Sequence, residues 1–398
     1  MEQVLTPAKE IESRVAAVQK LLQASDMEAL FIVQRMDLFY FSGTAQNGYL
    51  YIPAQGEPLL MIKKYFPRAK EETSIKHIVQ IDSVSDIKAR IVDFYGRLPN
   101  VIGFEFDVMP VSDFYFFQKV LDIANCRDGS PLIHAVRAIK SAWEIKQIET
   151  VTELTYKTFK FINKELRPGL SEMEFAGMYE TFERRHGHQG RLRARNYLSE
   201  LYNWHLLSGE SGSMPGLLDS PASGQGTSPS FPVGAGRKKL KKNEPIMIDI
   251  GFALNGYHVD ETRMFAMGKM PEKALKTCEA SIEIHNSIIE MAGPGVPIGE
   301  VYKYAVEKAE ALGYKDQFLG TEGYKVTFVG HGIGIELVEP PILARNRKEE
   351  LQPGMVFALE PKFVFENEFI AGVESVFTVT ETGARLLSKV PVKVFVKK

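Results

Sequence analysis

Five residues in the C-terminal half of this 398-residue chain carry the side chains of a metal centre: Asp249, Asp260, His331, Glu360 and Glu374. Four carboxylates and one imidazole suit divalent first-row metals, because hard oxygen donors with one nitrogen favour Mn, Fe, Co or Zn. Two such ions about 3.5–4 Å apart can hold a bridging hydroxide that is nucleophilic at neutral pH. A simpler reading exists for the two aspartates alone, in which one pairs with Arg263 and the other faces water. The three downstream residues, each in a strand-like setting, turn the argument toward the metal centre.

The elements that must position these side chains are legible around them. Ile246, Ile248 and Ile250 alternate as in a strand, Asn255-Gly256 signals a hairpin turn, and the chain returns through Tyr257 and Val259. Asp249 lies in the first arm and Asp260 in the second, so antiparallel pairing brings two carboxylates together. Such anions repel unless a cation lies between them. Strand alternation also places His258 on the face of Asp260, which makes it a candidate proton carrier. His331 sits in GHGIG, Glu360 in GMVFALEP and Glu374 in AGVESVFTVT.

The order Asp, Asp, His, Glu, Glu in the contexts IDIG, GYHVDETR, GHGIG, ALEP and VESVFTVT resembles the creatinase/aminopeptidase, or pita-bread, superfamily of metallopeptidases (the M24 type), which includes Xaa-Pro aminopeptidases and prolidases. The likeness covers roughly residues 140–398. It implies that Asp249, Asp260, His331, Glu360 and Glu374 bind two divalent metal ions (Mn, Co, Zn or Fe) and that Glu360 also handles a proton. The stretches SGTAQNGYLYIP and GFEFDVMPVSDFYFFQKVL are similar to the creatinase N-terminal domain, which implies a homodimer. The expected fold is therefore an α/β creatinase-like N-terminal domain over residues 1–136 followed by an α+β pita-bread domain over 137–398. Arg137, Lys140 and Glu144 form the R-x-x-K-x-x-x-E junction on which that boundary rests.

Composition agrees with an ordinary two-domain protein. Hydrophobic residues make up 44% and charged residues 25%, and the net charge of −2 gives no electrostatic case for nucleic acid or an anionic membrane. Cys126 and Cys278 stand in unrelated contexts and read as ordinary thiols. The start MEQVLTPAKEIESR lacks a signal-peptide pattern, so the expected location is cytoplasmic.

Along the chain, the spacing predicts a helix from Pro7 to about Ser25, a strand over Ala29–Val33, and further strand patterns alternating with turns through DLFYFSGTAQNGYLYIP and EPLLMIKKYFPRAKEE. DIKARIVDFYG and SDFYFFQKVLDI read as helices, HIVQI and VIGFEF as strands. A long helix is expected to Leu166, and a second one from Ser171, whose capping box uses Glu174. Arg191, Arg193 and Arg195 alternate as on an anion-binding or interface strand. The Gly/Ser/Pro-rich stretch from Ser208 to Gly236 reads as an ordered loop near the site.

Three positions depart from the peptidase pattern. Gly216 follows Pro215 where a histidine would touch substrate, Val338 precedes Glu339 where a His-Glu pair is usual, and Gly372 stands where prolidase-like members carry an arginine. A positioned proton-transfer group contributes roughly 10²–10⁴-fold in rate, so these losses bear on function. His188, His205 and Glu339 are further candidates to replace them. Three readings follow: an Xaa-Pro aminopeptidase or dipeptidase acting on small peptides, a non-peptidase metalloenzyme (a small-molecule hydrolase or lyase) on the same scaffold, and a binding protein without turnover.

Overall fold

The computed structural model describes residues 4–195 and 204–398, and the chain divides into two compact units. The first takes in Met1–Arg137, and Arg195 belongs to it as well. Its six strands are β1 (Ala29–Ile32), β2 (Gly48–Pro53), β3 (Leu59–Ile62), β4 (His77–Gln80), β5 (Val101–Phe104) and β6 (Asn125–Asp128), arranged in the order β4-β3-β2-β1-β5-β6. β1 and β3 pair antiparallel with β2, and the outer pairs are parallel. Phe31, Tyr51, Met61 and Phe104 form the core with Ile87, Ile91 and Phe117 of the covering helices.

One stretch expected to be a strand is a helix. Helix Arg35–Ser42 takes in DLFYFS, whose apolar residues cannot separate the two periods over so short a run. The signals that decide it lie at the ends. The Gln34 side chain accepts from the backbone N–H groups of Met36 and Asp37, and Gly43, at φ 80°, closes the last turn. Likewise Phe66–Glu72, at the end of the next stretch, is helical.

The arginine-rich stretch also departs from expectation. Residues 191–195 are irregular rather than extended, and 196–203 lie outside the described residues. Arg195 is committed to Asp37 at 2.6 Å and Asp107 at 2.5 Å, and Arg137 reaches the other oxygen of Asp37 at 2.8 Å. These guanidinium groups serve the interior of the first unit.

The second unit begins at Ala138. A four-stranded sheet contains β7 (Trp204–Ser208), β8 (Ile246–Leu254), β9 (Tyr257–Met267) and β17 (Phe395–Lys397) in the order β17-β9-β8-β7. A five-stranded sheet joins β10 (Phe328–Gly332), β11 (Glu339–Ala344), β12 (Val356–Leu359), β15 (Ser375–Thr380) and β16 (Gly383–Leu386), while β13 (Lys362–Phe365) and β14 (Phe369–Gly372) pair as a ribbon. Helices Ala142–Glu165 and Glu172–Arg185 place Phe159, Ile162, Phe175 and Tyr179 against Ile248, Ile250 and Phe265 of the first sheet. Helices Glu272–Met291 and Ile298–Ala311 place Ile284, Ile288 and Val301 against Phe357, Leu359 and Phe377 of the second. Both layers bury one helical face on one sheet face, the α+β arrangement expected. Among the described residues, no helix is long and apolar enough to cross a membrane.

The expected capping box of Ser171 with Glu174 is present, and Ser141 forms a second one with Glu144. Junction residues are anchored too. Lys140 Nζ lies 3.3 Å from Glu339, and the Tyr257 hydroxyl donates to Glu144 at 3.1 Å. The stretch 208–236 is largely irregular, with a short 3₁₀ turn at Gly209–Ser213 packed against β14 so closely that a methyl group on Gly212 would lie 2.7 Å from Ile370.

Candidate metal centre

The β8/β9 hairpin turns at Asn255 (φ 54°) and Gly256 (φ 87°), the double positive φ of a type I′ turn. This fixes a register in which Asp249 faces Thr262 and Gly251 faces Asp260. The two carboxylates are therefore diagonal neighbours on one sheet face. His331 stands on β10 opposite Ala358, and Glu360 follows β12 directly. Glu374 lies between β14 and β15, where its main chain exchanges hydrogen bonds with Thr262 at 3.0 and 3.3 Å.

Arg263 holds that junction. It is fully buried, and its guanidinium donates to the carbonyls of Thr262, Glu374, Val390 and Pro391 and to the Ser375 hydroxyl. It pairs with neither aspartate of the site, so the simpler reading of the two aspartates fails. Thr262 adds a hydroxyl that donates to Glu374 Oε2 at 2.8 Å.

All five predicted residues converge, but they divide into two groups. His331 Nε2 is 3.8 Å from Asp260 Oδ2, 3.9 Å from Glu360 Oε1 and 3.9 Å from Glu374 Oε1. Such separations are too long for hydrogen bonds and fit donors grouped about an ion at about 2.0–2.2 Å. His331 Nδ1 lies 3.1 Å from the Gly332 carbonyl; donation there leaves the Nε2 lone pair aimed at the acids. Glu374 Oε1 is buried with no hydrogen-bond partner among the described residues. An orphaned carboxylate oxygen facing an imidazole lone pair fits a divalent ion held by Asp260, His331 and Glu374.

The second group contains a residue that the sequence reading missed. Lys362, 2% exposed, places Nζ 3.0 Å from Asp249 Oδ2, 2.9 Å from Glu360 Oε2 and 2.8 Å from Glu374 Oε2. A signal was available, since Lys362 stands two residues after Glu360 at the start of a strand, where alternation favours a shared face. Its neighbour across the ribbon is Gly372, and a methyl group there would lie 2.6 Å from Lys362 Cγ. The position read as a missing arginine is the space that the lysine stem uses.

The electrostatics follow the same division. Burial, then repulsion from Glu374 and Asp249, pushes the Asp260 carboxyl well above the usual carboxylate range. Burial also raises Glu374, to about 8, against the pull of Lys362. Burial alone would raise Asp249 as well, yet Lys362, with His205 at 3.5 Å, holds it far below its ordinary value.

The geometry does not support the proton-carrier role expected for His258. Its Nε2 accepts from the Arg193 backbone N–H at 3.2 Å and its Nδ1 meets the Gly334 carbonyl at 3.3 Å. Alternation does put it on the face of Asp260, but the main chain at 193 and 334 covers that part of the face. Burial lowers its pKa to about 4, so the ring is neutral and structural. His188 is similarly committed, accepting from the Ala253 N–H at 3.0 Å, and Glu339 pairs with Lys140. Gly216 has no room for a side chain, since a methyl group there would lie 2.8 Å from Ser223 Cβ, and Val338 is 40% exposed.

Two α+β layers around a carboxylate and histidine centre are the arrangement of the pita-bread fold. Residues 146–381 match metallopeptidase family M24 and residues 14–139 match the creatinase/prolidase N-terminal domain. The chain belongs to family M24. It is 24% identical to an Xaa-Pro dipeptidase of Pyrococcus furiosus over 383 residues, 95% of this chain and 98% of that protein. Among solved structures, the prolidase from Pyrococcus horikoshii superposes with a TM-score of 0.79 at 22% identity, over 95% of this chain and 99% of that one. The Xaa-Pro dipeptidase from Bacillus anthracis gives 0.82 at 21% identity, over 97% and 99%. At these identities the structural likeness establishes the fold.

Proposed function

We propose that this chain hydrolyses small peptide-like amides, with Xaa-Pro dipeptides the first class to test, using a divalent ion held by Asp260, His331 and Glu374 with Glu360 Oε1 beside them. The convergence of these donors about His331 Nε2 carries the reading. When bound there, such an ion supplies Lewis-acid polarisation and an acidified water. The remaining work falls to the protein. Glu360 Oε1 is the atom that takes and returns a proton, because Oε2 is held by Lys362 at 2.9 Å. Lys362 holds its three carboxylates in place, and the Thr262 hydroxyl locks Glu374.

A second reading is favoured by one observation. Gly372 and Val338 stand in place of the groups that would grip and protonate a peptide, and His188, His258 and Glu339 are engaged elsewhere, which leaves His205, 3.5 Å from Asp249, as the remaining substitute candidate. Under this reading the same centre acts on a smaller, non-peptide substrate. Family membership, the dipeptidase relatives and the donor set support the first reading. We also propose a cytoplasmic homodimer, for which the exposed Val111, Tyr115 and Phe116 of helix Val111–Leu121 offer an apolar surface.

The test is hydrolysis of Xaa-Pro dipeptides, Xaa-Pro-Xaa tripeptides and a Met-initiated tripeptide by protein loaded with Mn, Co or Zn, beside Asp260→Ala. Turnover that disappears in Asp260→Ala is expected. Bound ion without turnover on any of these substrates would move the assignment to the non-peptide reading.

A further inference from the structure

We infer that the Lys362 ammonium takes the place of a second metal ion, so that the chain binds one divalent ion where its ligand set would otherwise hold two. The inference rests on the metal-dependent reading above and adds to it the number of ions and the identity of the second cation.

The two glutamates carry the argument. Glu360 and Glu374 each direct one oxygen toward His331 and the other toward Lys362. That is how carboxylates bridge two cations. Asp260 belongs to the His331 side and Asp249 to the Lys362 side, so each half of the site has its own aspartate. On the Lys362 side the cation is already present. An ammonium has three N–H donors, and here it meets three carboxylate oxygens at 2.8–3.0 Å, which satisfies it completely.

The backbone makes this placement durable. The Lys362 carbonyl accepts from the Leu319 N–H at 2.9 Å, and Lys362 pairs in register with Gly372, whose missing side chain leaves room for the lysine stem. A second ion on those oxygens would have to displace the ammonium. It would then leave a buried positive charge beside a divalent one, with its partners taken, and burying an unpaired charge is strongly unfavourable. The His331 side lacks such an occupant and offers mixed nitrogen and oxygen donors, so the single ion binds there.

The experiment counts ions in the full chain. Protein stripped with chelator is equilibrated with Mn(II), freed of excess metal and measured by elemental analysis, with electron paramagnetic resonance on the same samples. Wild type is expected to hold one ion per chain with the signal of an isolated Mn(II). Lys362→Gly opens the second position and is expected to hold two, with an exchange-coupled signal. Asp249→Asn in the wild-type background is expected to keep the single ion, since Asp249 serves the lysine. Two ions in wild type would overturn the inference while leaving the hydrolase reading intact. Loss of the ion in Asp249→Asn, or failure of folded Lys362→Gly to gain one, would also overturn it. No ion in wild type would overturn the metal-dependent reading and the inference with it. Should Lys362→Gly fail to fold, the wild-type count still decides.

Discussion

Lys362 meets three carboxylates with one ammonium, and none of the four groups is open to bulk solvent. A buried ion cluster of this kind is costly to break because the remaining charges lose their compensation. Lys362→Met, which preserves the stem, is expected to destabilise the metal-free protein by about 3–5 kcal/mol. Added Mn(II) should restore part of that loss. Urea unfolding in chelator and in metal measures both effects, and a loss below about 1 kcal/mol would contradict this account of the cluster. Gly372 belongs to the same argument. A methyl group there would lie 2.6 Å from Lys362 Cγ, so Gly372→Ala is expected to cost about 1–3 kcal/mol by overpacking. In the sequence alone Gly372 stands as a lost arginine and Lys362 does not stand out. A lone lysine is ordinarily a surface residue, and only its neighbours show that this one is not.

At the scale of elements, the hairpin sets the site. Its type I′ turn needs positive φ at two successive positions, supplied by Asn255 and Gly256. Asn255→Ala is expected to cost about 1–2 kcal/mol, since alanine lacks the local hydrogen bonding that eases a left-handed conformation. Thermal unfolding checks the stability. The more specific consequence is weaker Mn(II) binding, because any shift in register moves Asp260 relative to His331 across the site. Unchanged metal affinity in a destabilised variant would show that Arg263 and Thr262, which tie the hairpin to Glu374, hold the register without the turn. The hairpin and the two capped helices before it were legible because their signals are local. Helix Arg35–Ser42 was not, since eight residues hold too little periodicity to override strand-like composition.

For the whole molecule, the buried acids set how stability varies with pH. Asp260 is held well above the usual range, Glu374 at about 8 and Glu261, buried with neither oxygen hydrogen-bonded among the described residues, at about 7. A carboxyl whose folded pKa is raised keeps its proton in the native state where the unfolded chain has released it. Stability then falls as pH rises from about 4, through about 7 for Glu261 and about 8 for Glu374. Protein in chelator is expected to lose melting temperature steadily across that window. Mn(II) should remove the part due to Asp260 and Glu374, and Glu261→Gln should remove a further part, with or without metal. Melting curves at stepped pH test this, and a flat or rising profile in chelator would contradict it. The stabilisation by Mn(II) should also grow with its concentration, as for any ligand bound only by the native state.

The sequence by itself determined the family, the two-layer C-terminal fold and which five side chains converge there. Those follow from short motifs whose meaning is carried by neighbours in the chain: an alternating run, an Asn-Gly turn, a carboxylate in a fixed context. What only the tertiary structure decided is how the five are shared. The division of Glu360 and Glu374 between His331 and Lys362, the commitment of His258 to the main chain at 193 and 334, and the use of Gly372 as space for a lysine stem all depend on contacts between distant segments. No periodicity records such contacts, because they are fixed by how sheets and loops pack after each element has formed.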